Sequence, residues 1–213
     1  MTSHFIDRFA RRAQDISRHQ QPSPSSGAPL GPASAATSSR EQVEQRELAG
    51  ERDDDCAFCG IVAHEEPARK VYEDDLCIAF FDIYPIRPAH TLLIPKAHYE
   101  RVPHLPDDLS AHLGRIMPRL CRALGRAMEQ PDMNIVSNQG YAQVVPHIHF
   151  HLVPAPRRAG HAPRRGGLAF QNREELDDET ADLLAQRIRD ELAKEAEGTA
   201  DQTSSPQNGR GRL

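Results

Sequence analysis

No stretch of this 213-residue chain approaches the ~20 consecutive apolar residues that a bilayer-spanning helix needs. A membrane partner is therefore not expected. The opening residues, MTSHFIDRFARRAQDISRH, lack the apolar core of a secretory signal. Cysteine is scarce: Cys56, Cys59, Cys77 and Cys121 are too few to staple a chain of this length. A reducing compartment, cytoplasm or nucleus, fits that usage. The arginines near the start make a mitochondrial address the alternative, but Asp7 and Asp15 argue against it, since such leaders are poor in acids. An excess of positive charge is missing too. The net charge is −5, so nothing points to a general nucleic-acid binder and no stable nucleic-acid partner is expected. There is no internal repeat.

Residues 19–50 hold Pro, Ser, Ala and Gly with almost no large apolar side chains, so they cannot bury enough surface to offset the entropy of ordering. The stretch from Glu197 onward has the same character. The expected organisation is a disordered tail at 1–53, one folded domain at 54–195 and a second disordered tail at 196–213.

Within the domain, 71–72 and 76–82 read as strands joined at Glu73, Asp74 and Asp75, with a third strand at 91–94. Apolar residues three and four apart predict a helix over Asp107–Met128, with Pro118 expected to kink it or divide it. A fourth strand is expected at 134–137 and a fifth at 144–154. A second helix is expected at 174–195, with Leu176, Leu183, Leu184, Ile188 and Leu192 on its apolar side. Strands, a helix and more strands imply an α+β fold: one mainly antiparallel sheet of about five strands with two principal helices.

The most informative segment is His147-Ile148-His149-Phe150-His151-Leu152-Val153. On a strand, residues two apart share a face. Three imidazoles would then lie on one surface, with Ile148, Phe150 and Leu152 packed behind them. Histidine serves as nucleophile, general acid and metal ligand near neutral pH, and both nucleophilic catalysis and metal binding are open at this point. The preceding loop carries Asn138 and Gln143, whose amides would reach the site, although a plain polar hairpin explains it equally well. Asp82 at a strand end suits a ribose diol, with Phe80 and Ile83 walling an apolar slot for a base; a turn-forming aspartate is the bland alternative. Cys56 and Cys59 form a Cys-x-x-Cys pair, redox-active or half of a zinc site whose other ligands would be His98 and His147. Cys77 and Cys121 fall in apolar patterns and read as small buried hydrophobes. His4, His19, His64, His104, His112 and His161 have no patterned context. Arg157, Arg158, Arg164 and Arg165 form a basic patch that would attract phosphate or simply coat a solvated loop.

These residues together resemble the histidine-triad (HIT) superfamily, whose motif is the segment at 147–153. The likeness extends to CAFCGI at 56–61, VYEDDLCIAFFD at 71–82 and AHTLLIPKAH at 89–98, and is greatest to the Hint-type nucleoside phosphoramidases and their microbial and fungal relatives. The resemblance implies attack by His149 on a nucleoside α-phosphorus and hydrolysis of the resulting nucleotidyl-histidine by water. His151 would contact phosphate oxygens and protonate the leaving group, with His147 completing the triad. Asp82 would hold the ribose of a purine nucleotide, with Phe58, Ile61, Phe80 and Ile83 around the base and Asn138 and Gln143 near the phosphate. It also implies a structural zinc on Cys56, Cys59, His98 and His147, and a homodimer. The same chemistry in a diadenosine polyphosphate hydrolase, or a zinc-stabilised nucleotide-binding module without turnover, are the alternatives. The chain departs from the family pattern at Ala142-Gln143-Val144, where Gly-Gln-Ser is usual, at Ala89, where glycine is usual, and at Pro146.

Overall fold

A computed structural model of the chain describes residues 50–155 and 177–203. Most of the expected tails, the arginine patch at 157–165 and the expected helix start at 174–176 lie outside the described residues. The described residues group into two compact units, 50–67 with 95–106 and 138–148, and 68–94 with 107–137 and 149–203.

The first unit is built on a short helix, α1 (Ala57–Val62), a single 3-10 turn at Val102–His104, and the loop at 138–148. Phe58, Cys59 and Ile61 of α1 are buried, as is Cys56 just before it. Gly50 adopts a left-handed φ of 65° and its carbonyl accepts a hydrogen bond from His98 N–H. A side chain at Gly50 would collide with the Tyr99 ring, so glycine is required there.

The second unit carries a five-stranded antiparallel sheet in the order β1-β2-β3-β5-β4: β1 (Lys70–Glu73), β2 (Cys77–Phe81), β3 (Thr91–Pro95), β4 (Met133–Val136) and β5 (Phe150–Pro154). β2 and β3 are buried at every position, which explains their unbroken apolar sequences. Asp74 closes the β1–β2 hairpin as an Asx turn, its Oδ1 accepting from the N–H groups of Leu76 and Cys77. The expected fifth strand at 144–154 is shorter than its sequence pattern. Pro146 has no N–H, His147 N–H turns back to the Val145 carbonyl and Ile148 N–H goes to Tyr99, so no ladder forms before Phe150.

Helix α2 (Asp107–Met128) buries Leu109, Leu113, Ile116, Leu120, Ala123, Leu124 and Ala127. Of the two expected effects of Pro118, division does not occur: the helix runs unbroken from Asp107 to Met128. The residue four back, whose carbonyl the ring crowds and whose partner it removes, is Gly114; both positions are exposed, with open space around Gly114. Helix α3 (Asp178–Thr203) starts at an Asp177 cap that accepts from Thr180 N–H. Its buried stripe is Ala181, Ala185, Ile188 and Leu192. Leu183, expected on that stripe, is 67% exposed, because two small alanines set the packing face instead. Arg126 of α2 bonds Glu191 of α3 at 2.6 Å. Among the described residues no helix is long and apolar enough to cross a membrane.

Candidate active site and metal centre

In the first unit Cys56, Cys59, His98 and His147 converge, all buried, with one donor atom from each within 4.8 Å of the others. His147 Nδ1 lies 3.6 Å from Cys56 Sγ and 3.7 Å from Cys59 Sγ; His98 Nδ1 lies 3.3 Å from Cys59 Sγ. A tetrahedral zinc with bonds of ~2.3 Å to sulfur and ~2.0–2.1 Å to nitrogen sets those edges at about 3.6 Å. The donor set and its spacing therefore fit zinc. His147 Nε2 sits 2.9 Å from the Pro95 carbonyl, an orientation that leaves Nδ1 for a metal. A hydrogen bond from Cys56 holds the Cys59 thiol down at about 2, aided by His147 and His98 against burial, and the same bond pushes Cys56 up. Burial works to keep His98 neutral, but the neighbouring Cys59 outweighs it and raises His98.

The second unit holds the other two triad histidines. Their ring centroids are 4.8 Å apart, nearly perpendicular. His149 is buried and His151 is 16% exposed. The three imidazoles do not share one strand face. His147 turns to the cysteines, and of the triad only His151 lies in β5. The β3–β5 register pairs Leu92 with His151. That register brings in a residue which sequence reasoning left without a role, His90, two positions before Leu92. His90 is 2% exposed and its Nε2 lies 2.9 Å from His151 Nδ1.

Proton positions follow from this geometry. The Ile86 backbone N–H can only donate, and it donates to His90 Nδ1 at 3.2 Å. His90 therefore carries its proton on Nε2 and donates it to His151 Nδ1. His151 is then neutral with its remaining proton on Nε2. Burial lowers the His151 pKa, in the same direction. Asp82 Oδ2 stands 3.5 Å from His90 Nδ1 and 3.9 Å from His151 Nδ1, while its Oδ1 accepts from Tyr84 N–H.

Phe80 is buried on β2 and Ile83 is 42% exposed just beyond it. In the first unit, Ile61 is buried and Phe58 lies edge-on to the His147 ring at 5.9 Å. Gln143 braces its own loop: Oε1 accepts from Gly140 N–H and Nε2 donates to the Glu100 carbonyl. Asn138 is half-buried at the start of that loop. Ala89 and Ala142 both have left-handed backbones, at φ 64° and φ 55°.

The model of the HIT domain matches residues 63–158. The adenosine 5′-monophosphoramidase HNT1 of Candida albicans is 32% identical over 145 residues, 65% of this chain and 92% of that enzyme. The chain belongs to the histidine-triad family. The adenylylsulfatase HINT3 of Arabidopsis thaliana is 34% identical over 137 residues, which span 62% of this chain and 66% of that protein. Among solved structures, a zinc-bound histidine-triad protein from Mycobacterium smegmatis superposes with a TM-score of 0.56 at 31% identity, covering 68% of this chain and 97% of its own.

Proposed function

We propose that the chain is a nucleotide hydrolase that acts at the α-phosphate of adenosine phosphoramidate-type substrates through a nucleotidyl-histidine on His149. The observation that carries this reading is the His90–His151 hydrogen bond, which leaves His151 Nε2–H as a donor beside His149. In the first step a ring nitrogen of His149 forms a bond to phosphorus as the phosphorus–nitrogen bond of the substrate breaks. The departing amine takes the proton from His151 Nε2, which leaves that ring anionic beside the cationic nucleotidyl-histidine until the second step returns a proton. In the second step water attacks the nucleotidyl-histidine, His151 accepts the water's proton, and the nucleoside monophosphate leaves with the ring of His149 restored. A positioned acid–base of this kind is worth about 10²–10⁴ in rate. The relatives named for adenosine monophosphoramidase and adenylylsulfatase activities support this substrate class.

By the family resemblance Asp82 is proposed to hold the ribose, with Phe58, Ile61, Phe80 and Ile83 around the base and Asn138 and Gln143 near the phosphate. Zinc would be held by Cys56, Cys59, His98 and His147, and would supply a structural tie rather than an electrophile. A homodimer is the proposed assembly. Its support is the family resemblance together with β4, an edge strand whose Ile135 is 48% exposed; a monomeric mass by light scattering would remove it.

The test of the mechanism is rapid-quench trapping with a radiolabelled adenosine phosphoramidate. Wild type is expected to give an acid-labile, alkali-stable adenylyl-protein. His149→Ala is expected to give none, yet to keep nucleotide affinity within about tenfold, roughly 1.4 kcal/mol. Unchanged turnover in His149→Ala would sink the mechanism.

A further inference from the structure

Outside the catalytic histidines and the Cys56 cluster, a third set of metal-competent donors meets in the second unit. Asp74 in the β1–β2 turn, Cys77 at the start of β2 and His112 in the second turn of α2 bring a carboxylate oxygen, a thiol sulfur and a ring nitrogen within 4.8 Å of one another. Cys77 is completely buried. His112 Nε2 lies 2.7 Å from Asp74 Oδ2, with side-chain exposures of only 18% and 24%. Tyr72 donates its hydroxyl to the same carboxylate oxygen at 2.7 Å. β2 runs from Cys77 to Phe81, so Cys77 and Asp82 stand at opposite ends of one strand, about 16 Å apart at ~3.3 Å per residue. This cluster is therefore separate from the catalytic histidines.

The donors select the ion. Hard cations such as calcium and magnesium take oxygen ligands, whereas a thiolate, an imidazole and a carboxylate suit zinc and its soft divalent neighbours. The charges suit it as well. Burial opposes ionisation of Asp74, but Tyr72, the N–H groups of Cys77 and Leu76, and His112 together hold its carboxyl well below the usual range. A Cys77 thiolate would add a second negative charge. Against them stand Arg115, 3.3 Å from His112 Nδ1, and Arg119, whose guanidinium lies over the Tyr72 ring at 5.9 Å. Arg115 is exposed and can swing away.

We propose that Asp74, Cys77 and His112 form a second zinc-class site, with water as its fourth ligand, that clips the β1–β2 hairpin to helix α2. On binding, the Cys77 proton leaves to solvent. His112 keeps one proton, moved from Nε2 to Nδ1, and the Asp74–His112 hydrogen bond is replaced by two bonds to the metal. Ligand shifts of about an ångström reach tetrahedral edges.

Cobalt(II) is the probe, added to metal-stripped full-length protein and counted by equilibrium dialysis and visible absorption. His112→Gln, a change of similar volume, is expected to bind one ion fewer per chain than wild type. Cys77→Ala is expected to lose the same ion together with its share of the sulfur-to-cobalt absorption. Cys59→Ser is expected to keep the ion that depends on His112, which separates this site from the Cys56 cluster. Equal cobalt uptake by wild type and His112→Gln, with unchanged absorption in Cys77→Ala, overturns the proposal.

Discussion

His90 offers the sharpest test of how the catalytic proton is held, because its two ring nitrogens do different work. Nδ1 accepts from Ile86 N–H and Nε2 donates to His151 Nδ1. Two substitutions separate these tasks. In His90→Asn the amide oxygen can stand near Nδ1 and keep the Ile86 bond, but nothing reaches His151. In His90→Gln the amide nitrogen can stand near Nε2 and keep the donor to His151, while the Ile86 N–H is orphaned. Losing the donor frees His151 to place its proton on Nδ1, the wrong nitrogen. General acid–base placement is worth about 10²–10⁴ in rate, so His90→Asn is expected to lose at least about 100-fold in kcat, roughly 2.7 kcal/mol of barrier. His90→Gln is expected to retain most of that rate and to lose stability instead, by about 1–3 kcal/mol for one buried unpaired N–H. The assays are steady-state hydrolysis of an adenosine phosphoramidate and urea unfolding of both variants. If His90→Asn turns over like wild type, the hydrogen bond does not set the tautomer and the reasoning fails.

Three further outcomes are expected. Cys59→Ser is expected to lose bound zinc and melting temperature together, since metal binding and folding of such a cluster are coupled; zinc-free wild type with an unaltered melting curve would contradict it. Ala142→Gly is expected to stabilise by about 0.5–1 kcal/mol: the exposed left-handed backbone costs an alanine roughly 1–2 kcal/mol, less the ~0.4–1 kcal/mol of extra chain entropy that glycine brings, and chemical denaturation measures the difference. For His151 the folded-state pKa lies below the ordinary 6.5 because burial disfavours the charged ring. As pH falls through 6.5 the unfolded chain binds the proton first. The contribution of His151 to stability is thus intact above that pH and is lost below it, and the acid limb of kcat/KM is expected below 6.5; a limb above 6.5 would refute a neutral, buried His151.

Local chemistry made part of this molecule readable. The sheet was legible from its apolar runs, and α2 because its apolar spacing coincides with burial; in α3 the buried stripe runs through Ala181 and Ala185 and leaves Leu183 exposed. The Pro118 helix survives because the feature that spares it, an exposed glycine four residues earlier, is a matter of helix face rather than of local propensity. The convergence of Cys56, Cys59, His98 and His147 was legible through Cys-x-x-Cys and Pro-Lys-Ala-His, since side chains held close in sequence constrain where their partners must lie. The triad was legible as a family resemblance but not as geometry. Strict alternation argues for one strand face, yet Pro146 and the turn at His147 end the ladder before Phe150 and divert His147 to the cysteines.

His90 shows why sequence spacing alone runs out. Its partner is 61 residues away, and nothing near His90 specifies that distance. What joins them is the pairing of Leu92 with His151, which puts His90 on the same sheet face one diagonal step from His151, within reach of an imidazole. A shift of one residue in that register would turn His151 to the opposite face and break the bond. The backbone ladder between β3 and β5, which sets the register, is therefore as necessary to the proposed catalytic proton as the histidines themselves. Leu93, wholly buried on β3, is the place to test that dependence. Leu93→Ala is expected to cost about 2–5 kcal/mol of stability. In the fraction that remains folded, kcat is expected to stay near wild type, because the backbone ladder still sets the pairing. A kcat that falls in parallel with His90→Asn, in protein shown to be folded, would mean that side-chain packing rather than the ladder holds His90 against His151.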